Sequence, residues 1–281
     1  PDDVLRDLRT AAKQTDPDSV LLGEVWEDAV TKVSYGARRQ YALGDALDSV
    51  MNYPLRDALI LFLTGRSTAR TLADLLLSQR LNYPQPLYYA LMNLTASHDV
   101  ARTRSALALD FDPRSRTRAE LAELEITDAM AARGAQLEAL AAAVQFWLPG
   151  IPSIYYGDEA GMQGFEDPFN RGAYPWGHED AALVRYFRRL GALRGEHEAL
   201  QSGTIVYHTA QGRALAFSRR AGGDHCLTVV NAGDGILPLA LPWDGALAVD
   251  ALTRQQFFCD GGQLRLTLEP YGALLLTHPD E

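Results

Sequence analysis

The sequence predicts a two-part α/β fold, with strands and helices alternating over residues 1–200 and a small antiparallel β-sandwich over residues 201–281. Short apolar runs alternate with helical stretches, the runs are continuously apolar, and the texture changes near residue 201. Alternation argues for a parallel sheet, because parallel strands need a crossover connection. Unbroken apolar runs are expected where helices or other layers cover both faces of such a sheet.

Residues 2–14 set Val4, Leu8, Ala11 and Ala12 on one helical face behind Asp2-Asp3. The run VLLG at 20–23 then reads as a strand, and DSVMNYP at 48–54 as a second strand entering a loop. Helices follow around 55–64 and 68–80, and LYYALMNL at 87–94 is the third strand candidate. A long helical region ends in Leu137, Leu140, Ala141, Val144 and Leu148, a helical spacing, before a fourth strand in GIPSIYYGDE at 150–159. The helix over 181–195 buries Leu183, Tyr186, Phe187, Leu190 and Leu193. From 201 onward seven short runs, from GTIVYHT to GALLLTH, are separated by turns such as AGGD, AGDG and CDGG, the pattern of a sandwich.

With 281 residues, 47% hydrophobic and 22% charged, the chain can bury a substantial core. A net charge of −10 with scattered Lys and Arg argues against nucleic acid as a partner. No apolar run approaches the roughly 20 residues of a membrane span. Cys226 and Cys259 belong to no C-x-x-C pair, so they read as reduced thiols, the sequence shows no metal-ligand pattern, and a cytoplasmic location is favoured. The chain starts at Pro1 without initiator Met or leader, which reads as a cut.

In parallel α/β folds, chemistry collects just past the C-terminal strand ends. Four polar clusters stand there: Glu24 after VLLG, Asn52 after DSVM, His98-Asp99 after the third strand, and Asp158-Glu159 after SIYYG. Any one has a bland reading: Glu24 as a surface carboxylate, Asp99 as a helix cap, Asp158 and Glu159 as structural groups near the mouth. Trp26 beside Glu24 is the stronger hint. An indole that keeps water away raises a carboxyl pKa and suits it to general-acid work, and its flat face can stack on a sugar ring.

LLGEVW, ASHDVAR and GIPSIYYGDEAGMQGFEDPFNR together resemble the later motifs of the α-amylase superfamily of glycoside hydrolases, in the same order. The likeness is greatest to the cyclomaltodextrinase, neopullulanase and maltogenic amylase group, and LEPYGALLL is similar to the end of that group's C-terminal β domain. The resemblance implies strands five to eight of a TIM (β/α)8 barrel over 1–200, where a full barrel needs eight strands and about 250 residues. It makes Glu24 the general acid/base and Asp99 the carboxylate that stabilises the transition state, with His98 its hydrogen-bonding neighbour. Trp26 falls at the leaving-group side, Asp167 and Arg171 at sugar hydroxyls further along the chain, and Asn52 and Arg102 are weaker substrate-binding candidates. The family's nucleophile, an Asp in a G-F-R-x-D motif on the fourth strand, is absent from this sequence. Glu27 stands where many members carry His after the Trp.

The implied activity is retaining hydrolysis of α-glucan oligosaccharides such as cyclodextrin, pullulan and maltooligosaccharides. The partners would be that glucan and an N-terminal half-barrel, on the same or a separate polypeptide, that holds the nucleophile and any calcium; this chain calls for no cofactor. The chain alone would be inactive. A homodimer is admitted because the group pairs through an extra N-terminal β domain. Two rival readings are a transglycosylase or sucrose-active relative using the same carboxylates, and a non-catalytic barrel used for binding. Joint retention of Glu24, His98 and Asp99 counts against the last.

Overall fold

The computed structural model describes residues 2–279. Helix α1 (Asp2–Thr15) leads into strand β1 (Leu22–Gly23), a hairpin of β2 (Val33–Ser34) and β3 (Ala37–Arg38), and β4 (Ser49–Val50). Tyr35 and Gly36 both take positive φ, as a two-residue hairpin turn requires. Helices α2 (Tyr53–Leu63), α3 (Ala69–Asn82) and α4 (Gln85–Ala90) precede β5 (Met92–Leu94). Helices α5 (Thr103–Ala108), α6 (Arg118–Ala122) and α7 (Asp128–Trp147) lead to β6 (Ile151–Ser153), followed by α8 (Ala181–Glu196) and α9 (Glu198–Ser202).

Strands β1 and β4 pair in parallel, as do β5 and β6, and a parallel bridge between Met51 and Met92 joins the pairs. The order β1-β4-β5-β6 is the four-strand arc expected of half a (β/α)8 barrel. Among the described residues neither β1 nor β6 has a second neighbour, and Leu22 and Ile151 on these edges are exposed. Helix α1 forms at the expected place but buries no residue; Val4 and Leu8 face outward.

One expectation is corrected. LYYALMNL is not a strand throughout: residues 85–90 form α4, and only Met92–Leu94 enters the sheet. Pro84 and Pro86 flank the start of α4, and Pro in a first helical turn suits the fixed φ and lacks a donor that would go unpaired there anyway. Leu87 and Tyr88 then turn inward against Tyr83 and Leu91.

Eight antiparallel strands follow: β7 (Thr204–Gln211), β8 (Ala214–Ala221), β9 (Asp224–Asn231), β10 (Leu237–Pro242), β11 (Leu247–Asp250), β12 (Gln256–Asp260), β13 (Gln263–Leu268) and β14 (Ala273–Thr277). The seven expected runs are present, and QQFFCD supplies an eighth that the sequence reading missed. Its polar ends and lack of β-branched residues hide it. The sheet order is β10-β13-β12-β11-β14-β9-β8-β7, and it folds over itself so that Ala216, Leu227, Val229 and Leu276 meet Leu241, Leu264 and Leu266 in one core.

A larger core runs without a break from α2, α7 and α8 into β7, β8, β9 and β14. Gly134 permits the close packing of α7 on α5, since a Cβ there would lie 2.7 Å from the Arg104 carbonyl. Beside it Arg104 donates to the fully buried Glu138 at 2.7 Å. Arg219 of β8 is likewise buried and donates to the Trp147 carbonyl at the end of α7, 2.9 Å away.

Candidate active site

The site is assembled at the C-terminal ends of β1 and β5. Glu24 leaves β1 immediately after Gly23, and Trp26 donates from its indole Nε1 to Glu24 Oε1 at 3.2 Å. Trp26 also stacks on Tyr53, with ring centroids 4.0 Å apart and planes 5° from parallel. Tyr53 opens α2 after β4, so this stack ties the first strand's loop to the second's. Glu24 is exposed and Trp26 is 41% exposed, so the indole covers one side of the carboxylate without excluding water. The expected shielding is thus partial, as befits a loop on an edge strand.

After β5 the chain turns through Ser97, His98 and Asp99. Tyr53 OH and Ser97 Oγ lie 3.0 Å apart, and the same Oγ accepts from the Asp99 backbone N–H at 3.1 Å. His98 Nε2 is 3.0 Å from Asp99 Oδ2. One carboxylate oxygen from each of Glu24 and Asp99 and a ring nitrogen of His98 all lie within 4.8 Å of one another. Burial first, and then the nearby Glu24 and Asp99 carboxylates, push the Tyr53 phenol up against the opposing pull of Ser97, so Tyr53 keeps its proton.

The loop after β6 closes the other side. Arg171 Nε donates to Asp167 Oδ1 at 2.6 Å, and its Nη2 stands 4.0 Å from Asp99 Oδ1. Asp167 also faces Arg118 at 3.8 Å. Between them, fully buried Asn170 directs its side-chain amide at the carbonyls of Ser97, His98 and Val100, at 2.9 to 3.0 Å. Asn170 therefore holds the turn that carries Asp99. It sits inside DPFNR, but no spacing marks it; its partners lie about 70 residues away.

The structure brings together Glu24, Trp26, His98, Asp99, Asp167 and Arg171. It does not bring Asn52 or Arg102 to the open face. Asn52 caps α2 by accepting from the Leu55 N–H, exchanges hydrogen bonds with Gln79 and donates to Asn93 Oδ1, all buried. Arg102 is fully buried, donating from Nη1 to Asp158 Oδ1 at 3.0 Å and to the Tyr156 carbonyl at 2.7 Å, with its guanidinium over the Tyr155 and Tyr156 rings. Both weaker candidates are posts of the wall: the Asn52 amide is taken up by Gln79 and Asn93, and Arg102 commits Nη1 to Asp158 and the Tyr156 carbonyl. Asn52→Ala is expected to lower stability by about 1–3 kcal/mol through the lost cap and the unpaired buried amides it leaves, as read by urea unfolding.

The α-amylase catalytic-domain family matches residues 2–189, and the maltogenic amylase C-terminal domain family matches residues 206–275. The chain is 30% identical over 277 residues to the cyclomaltodextrinase of Geobacillus thermopakistaniensis, with 96% of this chain and 42% of that protein covered. It is 30% identical over 279 residues to neopullulanase 2 of Thermoactinomyces vulgaris, again covering 96% of this chain and 42% of that protein. An amylopullulanase of Thermoanaerobacter thermohydrosulfuricus is 31% identical over 96% of this chain and 19% of its own length. The chain thus spans less than half the length of these curated relatives. Among solved structures, a cyclomaltodextrinase superposes with a TM-score of 0.79 at 27% identity, over 97% of this chain and 42% of that one. The α-amylase of Geobacillus thermoleovorans, solved with acarbose, shares the fold with a TM-score of 0.79 at 22% identity, over 100% of this chain and 58% of that one. On the match over residues 2–189, this chain belongs to the α-amylase catalytic-domain family of glycosidases, joined here to a C-terminal domain of the maltogenic amylase type.

Proposed function

We propose that the chain supplies half of the active site of a retaining α-glucan hydrolase acting on cyclodextrins, pullulan or maltooligosaccharides. The observation that carries this reading is the convergence of Glu24, His98 and Asp99 within 4.8 Å at the ends of two parallel strands. Kinship to a cyclomaltodextrinase and a neopullulanase supports the substrate class. A carboxylate nucleophile from a strand outside this chain attacks the anomeric carbon, while Glu24 gives its proton to the departing glycosidic oxygen. Water then attacks the glycosyl-enzyme, its proton passes to Glu24, and the bond to the nucleophile breaks.

Asp99, with His98 beside it, holds sugar hydroxyls and offsets the positive charge that develops at the anomeric centre. Trp26 supplies a stacking face on the leaving-group side, and Asp167 and Arg171 contact hydroxyls further along the glucan. Asn170 and Ser97 act on Asp99 only through the backbone they hold.

The test is an assay of this chain alone and of this chain completed by a half-barrel carrying a G-F-R-x-D strand, on cyclodextrin and pullulan, with the anomer of the first product read by NMR. Activity confined to the completed barrel, with an α-anomeric product, supports the reading. A β-anomeric product, or no turnover by the completed barrel, overturns it. Asp99→Asn is expected to lower kcat on maltooligosaccharides by about 10²–10³-fold, since the shape is kept and the charge facing the transition state is lost. An effect on KM alone would reduce Asp99 to a ground-state contact.

A further inference from the structure

The C-terminal sandwich carries a cluster that the hydrolase reading does not use. Four segments meet at one end of the sheet. They are β8 with Ser218 and Arg220, the start of β9 with His225, the turn after β10 with Trp243, Asp244 and Gly245, and His278 just past β14. Asp244 Oδ1 lies 3.1 Å from His225 Nδ1 and 3.2 Å from His278 Nε2. The ligand atoms of these three residues all fall within 4.8 Å of one another.

We infer that His225, Asp244 and His278 form a binding site for a divalent ion of the zinc type, with two imidazoles and one carboxylate as ligands. The two histidine–Asp244 separations, 3.1 and 3.2 Å, match edges of a tetrahedron whose centre is about 2.0 Å from each ligand, the bond length of zinc to His nitrogen and carboxylate oxygen, and the two histidine nitrogens lie within 4.8 Å of each other. Two nitrogens and one oxygen suit zinc, cobalt or nickel and leave a fourth position for water.

The surroundings orient these ligands as an outer shell does. His225 Nε2 is 3.1 Å from Ser218 Oγ, which is 2.6 Å from His208 Nε2. With Nδ1 on a metal, His225 Nε2–H donates to Ser218, and the Ser218 hydroxyl donates to His208, so each group in the relay is used once. His208 reaches Ser218 because it is the extra residue of a β-bulge between Tyr207 and Thr209, and a bulge re-aims a side chain. Trp243 lies against both imidazoles at 4.6 Å and is itself locked by donation to the Leu247 carbonyl at 3.1 Å. Gly245 leaves the space that His278 occupies, because a Cβ there would meet His278 Nδ1 at 3.0 Å. Arg220 takes Asp244 Oδ2 at 2.7 Å and leaves Oδ1 for the histidines.

The experiment is zinc retention. Purified protein is stripped with chelator, mixed with equimolar zinc chloride, desalted, and its zinc counted by mass spectrometry; a parallel sample receives cobalt for visible absorption. About one zinc per chain and intense tetrahedral cobalt bands are expected. His278→Ala, on a part-exposed residue just past β14, should weaken retention at least about tenfold while leaving the fold intact by circular dichroism. Asp99→Asn, which removes a carboxylate from the hydrolase cleft, should leave it unchanged. Zinc kept in full by His278→Ala, zinc lost on Asp99→Asn, or absence of retained zinc in the unsubstituted protein would each overturn the assignment.

Discussion

Glu24→Gln is expected to lower turnover of an unactivated glucan by about 10²–10⁴-fold in the completed barrel, the range associated with general acid–base catalysis. The substitution is nearly isosteric. Trp26 Nε1 can still donate to the remaining side-chain oxygen, so the loop and its stack on Tyr53 should keep their places. What disappears is the transferable proton. The loss should therefore depend on the leaving group: a maltosyl fluoride, whose departing fluoride needs no protonation, should form the glycosyl-enzyme at close to the normal rate. The second step still lacks its base, so the intermediate should accumulate as a burst. Equal loss on both substrates would mean that Glu24 is needed for geometry and is not the acid.

The same loop shows what could be read in the chain and what could not. Period and motif are local properties. The helical spacing of Leu183, Phe187, Leu190 and Leu193 was enough to place α8, and VLLG followed by Glu24 was enough to place a carboxylate at a strand end. The stack of Trp26 on Tyr53 spans 27 positions, and Asn170 reaches its carbonyls across about 70, distances over which sequence spacing carries no signal. LYYALM misled because aromatic and aliphatic residues suit a buried helix as well as a strand, and a six-residue segment is too short for its period to decide. QQFFCD misled in the opposite sense: alternate residues are exposed, so too little of it is apolar to stand out. The histidine cluster of the sandwich is assembled from three segments and has no motif at all.

Arg102 is the clearest case of a residue whose neighbours in sequence misdirect. It stands three positions after Asp99, yet its side chain runs away from the cleft into the wall, where Asp158, the Tyr156 carbonyl and two tyrosine rings receive it. Arg102→Ala is expected to cost about 3–5 kcal/mol of unfolding free energy, because removing one partner of a buried pair leaves the other charge without compensation. Asp158 would then retain only the Thr103 N–H and hydroxyl, the latter at 2.6 Å. Removing both charges together, as in Arg102→Met with Asp158→Asn, should recover a large part of that loss, since no uncompensated charge remains. Urea unfolding of the two variants separates this from a sugar-binding role. A substrate contact would raise KM with little change in stability, and the double variant would be no better than the single one. The wall reading requires the reverse ranking, and it carries a consequence for catalysis. The turn bearing Asp99 is held by Asn170 at 97–100 and then runs straight into Arg102, whose backbone N–H donates to the Gly164 carbonyl at 2.9 Å. Loosening that anchor should lower kcat at temperatures well below the unfolding midpoint, with KM nearly constant, because Asp99 would remain present but no longer be held where charge develops.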